Sequence, residues 1–152
     1  MDTVTKEHRS WIMSQIHSND TKPEMLVRHM LWENGFRYRL HVKKLPGKPD
    51  IVLTRYKTVI DIRGCFWHRH EHCKVATMPK SNVEFWQTKF ARNVERDHRT
   101  ETVLKEKGWN VLVVWECEMK QIHELVLEPL IKLRHEQQCP RPPQVQSGEE
   151  NQ

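Results

Sequence analysis

The sequence predicts a mixed α/β domain with helices on a central sheet, and three observations carry that prediction. Two β-branched runs, Ile51 to Thr54 and Thr58 to Ile62, are joined by three residues, the length of a hairpin connection. Helical periodicity brackets them on both sides, and the stretches before and after the pair each open on a capping-box pattern. The order reads helix, three strands, helix, strand, helix within 152 residues, which suits one domain around one core.

The elements follow in chain order. Residues 1–20 hold an apolar cluster, Trp11, Ile12, Met13 and Ile16, with no Pro or Gly to break a short helix, and are read as a mobile arm. Thr21, Pro23 and Glu24 form a capping box with Pro in the first turn, and the helix they open runs to Asn34, where Gly35 supplies a left-handed stop. Phe36, Tyr38, Leu40 and Val42 alternate with polar residues, the period of a strand with one buried face. Ser81 and Glu84 make a second capping box for a long charged helix with Val83, Trp86, Phe90 and Val94 on one stripe, closed by Gly108. Trp109 to Trp115 reads as a buried central strand, and Ile122 to Leu133 as a last helix kinked at Pro129. The folded domain is expected to span residues 21–135, and the Pro-, Gln- and Glu-rich tail from 136 to be disordered.

Twenty-five Lys and Arg stand against 20 Asp and Glu, a net charge of +5 that suits a polyphosphate partner. The chain has no long apolar run for a membrane and no leader pattern at Met1, so a cytosolic protein is expected. In a reducing compartment its four cysteines read as thiols or metal ligands rather than disulfides.

Cys65, His70, Cys73 and Cys117 are the sharpest feature. Cys65 and Cys73 bracket a His-rich loop, and Cys117 follows a strand that could return beside it. Four N and S donors in a tetrahedron are what zinc takes, and a loop without its own core gains most from such a staple. The bland alternative is buried thiols and solvent-facing histidines. His72, adjacent to Cys73, would have to point elsewhere, and Cys139 in the tail reads as a free thiol.

Asp50 follows Pro49 at a strand start, and Asp61, Ile62 and Arg63 lie on the next strand. This reads as a degenerate form of the acid and acid-x-Lys signature of restriction-type nucleases, with carboxylates and the Ile62 carbonyl offering hard oxygens to Mg²⁺. His68 lies close enough to act as general base or acid; otherwise it is another zinc ligand. Taken alone, Asp50 could be a turn residue. Phe66 and Trp67 are adjacent on a short loop, which either covers the zinc or presents a wedge to a base-pair step, with Met13 entering from the other side. Lys89 and Asn93 lie four apart on the second helix and could reach base edges or phosphates together.

The blocks Leu45 to Asp50, Gly64 to His68, Glu84 to Trp86, Asn93 to Asp97, Gly108-Trp109 and Val114 to Cys117 resemble, in order, those of very-short-patch (Vsr) DNA mismatch repair endonucleases. The resemblance implies a restriction-endonuclease-like fold and Mg²⁺-dependent nicking of duplex DNA 5′ of the thymine in a T:G mismatch, the product of 5-methylcytosine deamination. It implies Mg²⁺ at Asp50 and the Ile62 carbonyl, His68 as base, and Glu24 near the site. It also implies structural zinc on Cys65, His70, Cys73 and Cys117, and intercalation by Met13, Phe66 and Trp67. A monomer near the nucleoid, with mismatch-repair proteins as partners, completes the expectation. Family members can carry Thr at position 62 and His at 63; Arg63 cannot shuttle protons and is expected to stabilise phosphorane charge, while Asp61 adds a carboxylate. The rivals are an endonuclease of the same fold with different mismatch or restriction-linked specificity, and a zinc-containing DNA-binding module without catalysis.

Overall fold

The structure, a computed structural model, describes residues 5–14 and 20–138. The side chain of Met13, residues 15–19 and the tail from 139 onward, including Cys139, lie outside the described parts.

Helix α1 (Lys6–Ser14) lies in the arm, and α2 (Lys22–Glu33) opens the domain. Thr21 accepts from the Glu24 N–H, Pro23 sits in the first turn, and Asn34 caps the end before Gly35 turns the chain at φ +80°. Glu24 reaches back as a capping-box acid does, but it takes the N–H of Asp20 at 3.1 Å, one residue before the cap.

The sheet has four strands in the order β1 (Arg39–Leu40), β2 (Ile51–Leu53), β3 (Thr58–Arg63), β4 (Asn110–Trp115). The first two junctions are antiparallel and the β3–β4 junction is parallel, so the sheet is mixed. The expected hairpin between β2 and β3 is present, its link a 3₁₀ turn at Thr54–Tyr56 ended by Lys57 at φ 46°. The expected strand from Phe36 to Val42 shrinks to two residues. Only Arg39 and Leu40 face partners on β2, while Phe36 is pulled wholly into the core.

The expectation of a central β4 is corrected: β2 and β3 are central, and β4 is an edge strand that pairs only with β3 among the described residues. Its apolar run answers to helices on its two faces rather than to strands on both sides. On one face Leu31, Phe36, Ile51, Leu53, Ile60, Val114, Val126 and Leu130 form the main core with α2 and α4 (Glu128–Gln138). Burying such a side chain is worth about 1.5–3 kcal/mol. On the other face a smaller cluster of Val52, Val59 and Leu104 packs beneath α3 (Val83–Glu106).

Two helix details also differ from expectation. The second capping box does not form: Asn82 occupies the cap with φ 51° and no side-chain cap bond, and α3 starts at Val83. The chain before α4 is wide, a π-turn over His123–Leu127 in which Glu128 N–H reaches the His123 carbonyl. Pro129 follows directly on this wide turn, inside a helical run that continues from Ile122 to Gln138, so the regular α pattern is interrupted next to the proline. Helix α4 continues through Gln138, and Gln137 donates to the Arg55 carbonyl at 3.0 Å, so the first tail residues are ordered. No helix among the described residues is long and apolar enough to cross a membrane.

Candidate active site

Alternation along β3 decides which side chains reach the site. Ile60 and Ile62 face the main core, so Val59, Asp61 and Arg63 face α3. Asp50, just before β2, accepts the Ile62 N–H on Oδ2 at 2.8 Å and thereby closes the end of the hairpin ladder with a side chain. Gly47, at φ +72°, lets the preceding loop press against Thr100 of α3; a Cβ there would collide with the Thr100 side chain. These contacts wall a cavity of about 610 Å³ lined by Glu24, Asp50, Asp61, Ile62, Arg63, Trp67, His68 and Asp97 among others.

Three of the carboxylates that line the cavity, Glu24, Asp50 and Asp61, act on one another. Burial pushes Asp50 up to about 7 against the opposing Ile62 N–H, and the charges of Asp61 and Glu24 add to the rise. Three acids at one point of a basic protein form a site that wants a cation. Glu24 is 3 % exposed and its Oε2 accepts from Arg28 Nη2 at 2.9 Å; Arg28 in turn bonds Asp20 at 2.7 Å.

His68 Nδ1 lies 2.6 Å from Asp97 Oδ2 of α3. A carboxylate there holds the Nδ1–H tautomer and leaves Nε2 as the basic nitrogen. Asp97 has no role in the sequence reading, although it ends one of the blocks that carry the family resemblance. Its signal was helical spacing: Phe90, Asn93, Asp97, Glu101 and Leu104 recur at the intervals of one helix face. That face replaces the expected stripe, for Val83 and Val94 are exposed while Phe90 and Leu104 are buried. Its polar members Asn93, Asp97 and Glu101 engage the Trp67 carbonyl, His68 and Arg63, and of the three only Asp97 lines the cavity.

Arg63 stands between two acids. Its Nε bonds Asp61 Oδ2 at 2.9 Å, its Nη2 stands 3.6 Å from Glu101, and it is 8 % exposed. Both acids hold the guanidinium inside the wall. Asn93 is likewise engaged: its Nδ2 donates to the Trp67 carbonyl at 3.0 Å and its Oδ1 accepts from Arg96. It clamps the loop to α3. Lys89 Nζ lies 5.1 Å from the Trp67 ring centroid, a cation–π contact.

Phe66 and Trp67 pack against aromatic side chains of α3. Phe66 meets Trp67, Trp86 and Phe90 edge-on at 5.1–5.8 Å, and both are half-buried. The loop beneath them is held by Arg69, whose guanidinium donates to the carbonyls of Phe66, Ala76 and Thr77.

The structure brings Cys65, His70, Cys73 and Cys117 together, with one ligand atom from each within 4.8 Å of all the others. His70 Nδ1 is 3.7 Å from Cys65 Sγ and 3.4 Å from Cys117 Sγ. A tetrahedral ion bound at about 2.3 Å by sulfur and about 2.0 Å by nitrogen has N···S edges near 3.5 Å, so the donors sit where such a shell would put them. Burial drives the Cys65 thiol up to about 12, and the Val75 N–H brings Cys73 down to about 7. A divalent cation in their midst would favour the thiolates of all three. His72, at φ 57°, is not part of the cluster.

With the geometry in place, comparison with known proteins is decisive. A type II nicking enzyme of Neisseria meningitidis serogroup A is 53% identical over 119 residues, covering 78% of this chain and 84% of the relative. The DNA mismatch endonuclease Vsr of Escherichia coli K12 is 40% identical over 138 residues, 91% of this chain and 88% of the relative. The chain belongs to the Vsr DNA mismatch endonuclease family. The pattern of that family, DNA mismatch endonuclease Vsr, matches residues 1–74. A type II nicking enzyme of Xanthomonas oryzae pv. oryzae is 43% identical over 82% of this chain and 90% of its own length. A Vsr-family chain is a DNA-cleaving hydrolase, and the cavity sets carboxylates beside a His–Asp pair.

Proposed function

We propose that the chain is a Mg²⁺-dependent endonuclease that nicks one strand of duplex DNA 5′ of the thymine at a T:G mismatch left by deamination of 5-methylcytosine. The observation that carries the chemistry is Asp50, raised by burial beside Asp61 and Glu24, facing the same cavity as the His68–Asp97 pair.

Asp50 and Asp61 are the side chains placed to hold Mg²⁺. In an extended strand a residue's N–H and C=O leave by the same edge, so the Ile62 carbonyl joins Asp50 on its side. When bound, Mg²⁺ supplies positive charge for the phosphate oxygens and makes a nearby water more acidic. His68 Nε2 takes the proton from the attacking water, whose oxygen bonds to phosphorus as a phosphorus–oxygen bond to the sugar breaks, and the departing oxygen takes its proton from solvent water. Asp97 stabilises the imidazolium so formed. Arg63 acts through Asp61, whose carboxylate it steadies. Glu24, tied to Arg28, closes the side of the cavity next to α2.

Cys65, His70, Cys73 and Cys117 are a structural zinc site on this reading, since their donor set and spacing are those of a closed tetrahedral shell. Trp67, with Phe66 as its buttress, and Met13 on the arm contact the mismatched step, Lys89 adding charge beside them. We place the sheet in the restriction-endonuclease-like class, with an arm at 1–20 and a catalytic domain at 21–135. The enzyme acts as a monomer in the cytoplasm on nucleoid DNA, with mismatch-repair proteins as its partners.

A second reading, the same chemistry with a restriction-linked specificity, is favoured by the names of the relatives that are type II nicking enzymes. One experiment separates the two. T:G, fully paired and other mismatched duplexes are incubated with the protein and Mg²⁺, beside Asp50→Ala. Nicking confined to T:G duplexes supports the first reading, and nicking spread over other duplexes the second. An Asp50→Ala variant as active as the wild type would remove Asp50 from the site.

A further inference from the structure

Strands β3 and β4 run parallel and in register, with Arg63 opposite Trp115. Two residues beyond each of them stands a cysteine of the metal-ligand cluster, Cys65 after Arg63 and Cys117 after Trp115. The cluster therefore ties together the ends of the two strands, and its remaining ligands, His70 and Cys73, come from the loop that follows β3.

The side chains between cluster and cavity form a continuous stack. The His70 ring lies on the Trp115 indole with centroids 4.2 Å apart and planes 10° from parallel. The Arg63 guanidinium carbon is 5.8 Å from the same indole centroid. Arg63 then bonds Asp61 Oδ2 at 2.9 Å, and Asp61 shares the cavity with Asp50. Arg63 is buried and shared between Asp61 and Glu101, so its freedom to move is set by what packs on it. The lining of a second groove, about 510 Å³, includes Arg63, His70 and Trp115, so the stack is bounded by solvent on its open side instead of being locked in a core.

We infer that Trp115 and Arg63 are positioning residues, a strut through which the Cys65–His70–Cys73–Cys117 cluster sets the place of the Asp61 carboxylate in the cation-binding cavity. The inference rests on the reading of that cavity as a divalent-metal site and assigns Asp61 and Arg63 one coupled role. A His ligand whose ring is fixed by a flat neighbour keeps its orientation on the metal, and loss of such outer support costs metal affinity about 10–100-fold. Here the support has two ends, so loosening it is felt at both.

The test uses the zinc-loaded full chain and two variants, Trp115→Leu, which removes the flat surface, and Trp115→Phe, which keeps one. Mn²⁺ binding to the cavity is measured calorimetrically without DNA. In parallel the cluster is exchanged to Co²⁺ and its visible absorption recorded. Trp115→Leu is expected to weaken Mn²⁺ binding on the order of tenfold and to shift the cobalt bands, while Trp115→Phe restores both towards wild type. Circular dichroism and thermal melting identify a variant that has failed to fold. In that event Arg63→Lys, which keeps the charge but loses the flat guanidinium between Trp115 and Asp61, is expected to weaken Mn²⁺ binding and leave the cobalt bands unchanged. Folded Trp115→Leu with wild-type Mn²⁺ affinity, or Arg63→Lys with wild-type Mn²⁺ affinity, would overturn the strut alone. A wild type that binds no Mn²⁺ would overturn the reading of the cavity, and the strut's role with it.

Discussion

His68 Nδ1 and Asp97 Oδ2 are 2.6 Å apart, across a gap of 29 positions in the chain, and the bond joins the cysteine-rich loop to the middle of α3. It fixes which imidazole nitrogen is basic. Asp97→Asn is expected to lower single-turnover nicking of a T:G duplex by at least about 100-fold, the scale of general-base catalysis, while duplex binding stays near wild type. An unchanged rate would show that the pair is only a structural hydrogen bond.

Asp50 gives a pH signature in protein kept free of added divalent ions. Its carboxyl ordinarily titrates at 3.8 and here at about 7, because burial and two neighbouring acids disfavour its charge. A group raised on folding contributes stability below its unfolded pKa and loses it as pH climbs to the folded value. Between pH 4 and 7 the wild type should therefore lose stability relative to Asp50→Asn, by up to about 4 kcal/mol. Urea unfolding of both proteins across that range reads the difference, and two parallel curves would contradict it.

The cysteine cluster predicts a metal requirement for folding of the loop. Protein purified without added zinc should carry about one zinc per chain, and Cys65→Ser should lose it and melt at a lower temperature. A Cys65→Ser variant with full zinc content and wild-type melting would remove Cys65 from the shell. Cys65 is the informative position because it is buried, whereas Cys117 is exposed.

Asn93 holds the Trp67 carbonyl from α3. Asn93→Ala should cost about 1 kcal/mol, the worth of one partly buried hydrogen bond. It should also raise amide hydrogen exchange at Trp67 and His68 without altering exchange in β2 and β3. Faster exchange throughout the sheet would mean that Asn93 supports the core and not the loop.

Much of this was legible in the sequence where the signal is local. The α2 cap is written in Thr21, Pro23 and Glu24, and the β2–β3 hairpin in two β-branched runs of the right length. The cysteine cluster was legible because few residue types ligate metals and only one arrangement of the elements lets Cys117 return beside Cys65. What failed depended on tertiary surroundings. An apolar run cannot tell helices on its faces from strands on its edges, so β4 read as central. Asp97 and Asn93 look like solvated helix residues until the facing loop is in place. Arg63 looked free because its partner Glu101 lies 38 positions away on another element.

The loop after β3 is held through its backbone as well as through its half-buried aromatic side chains. Arg69 and Asn93 grip backbone carbonyls, and Cys65 and His70 anchor one end. The residue at position 67 is thus mounted on a frame that stands in part without its own side chain. Lineages can exchange it to suit a new target step without refolding the enzyme, and a protein engineer can do the same. Saturation of position 67 should yield many stable proteins that differ in the duplexes they prefer.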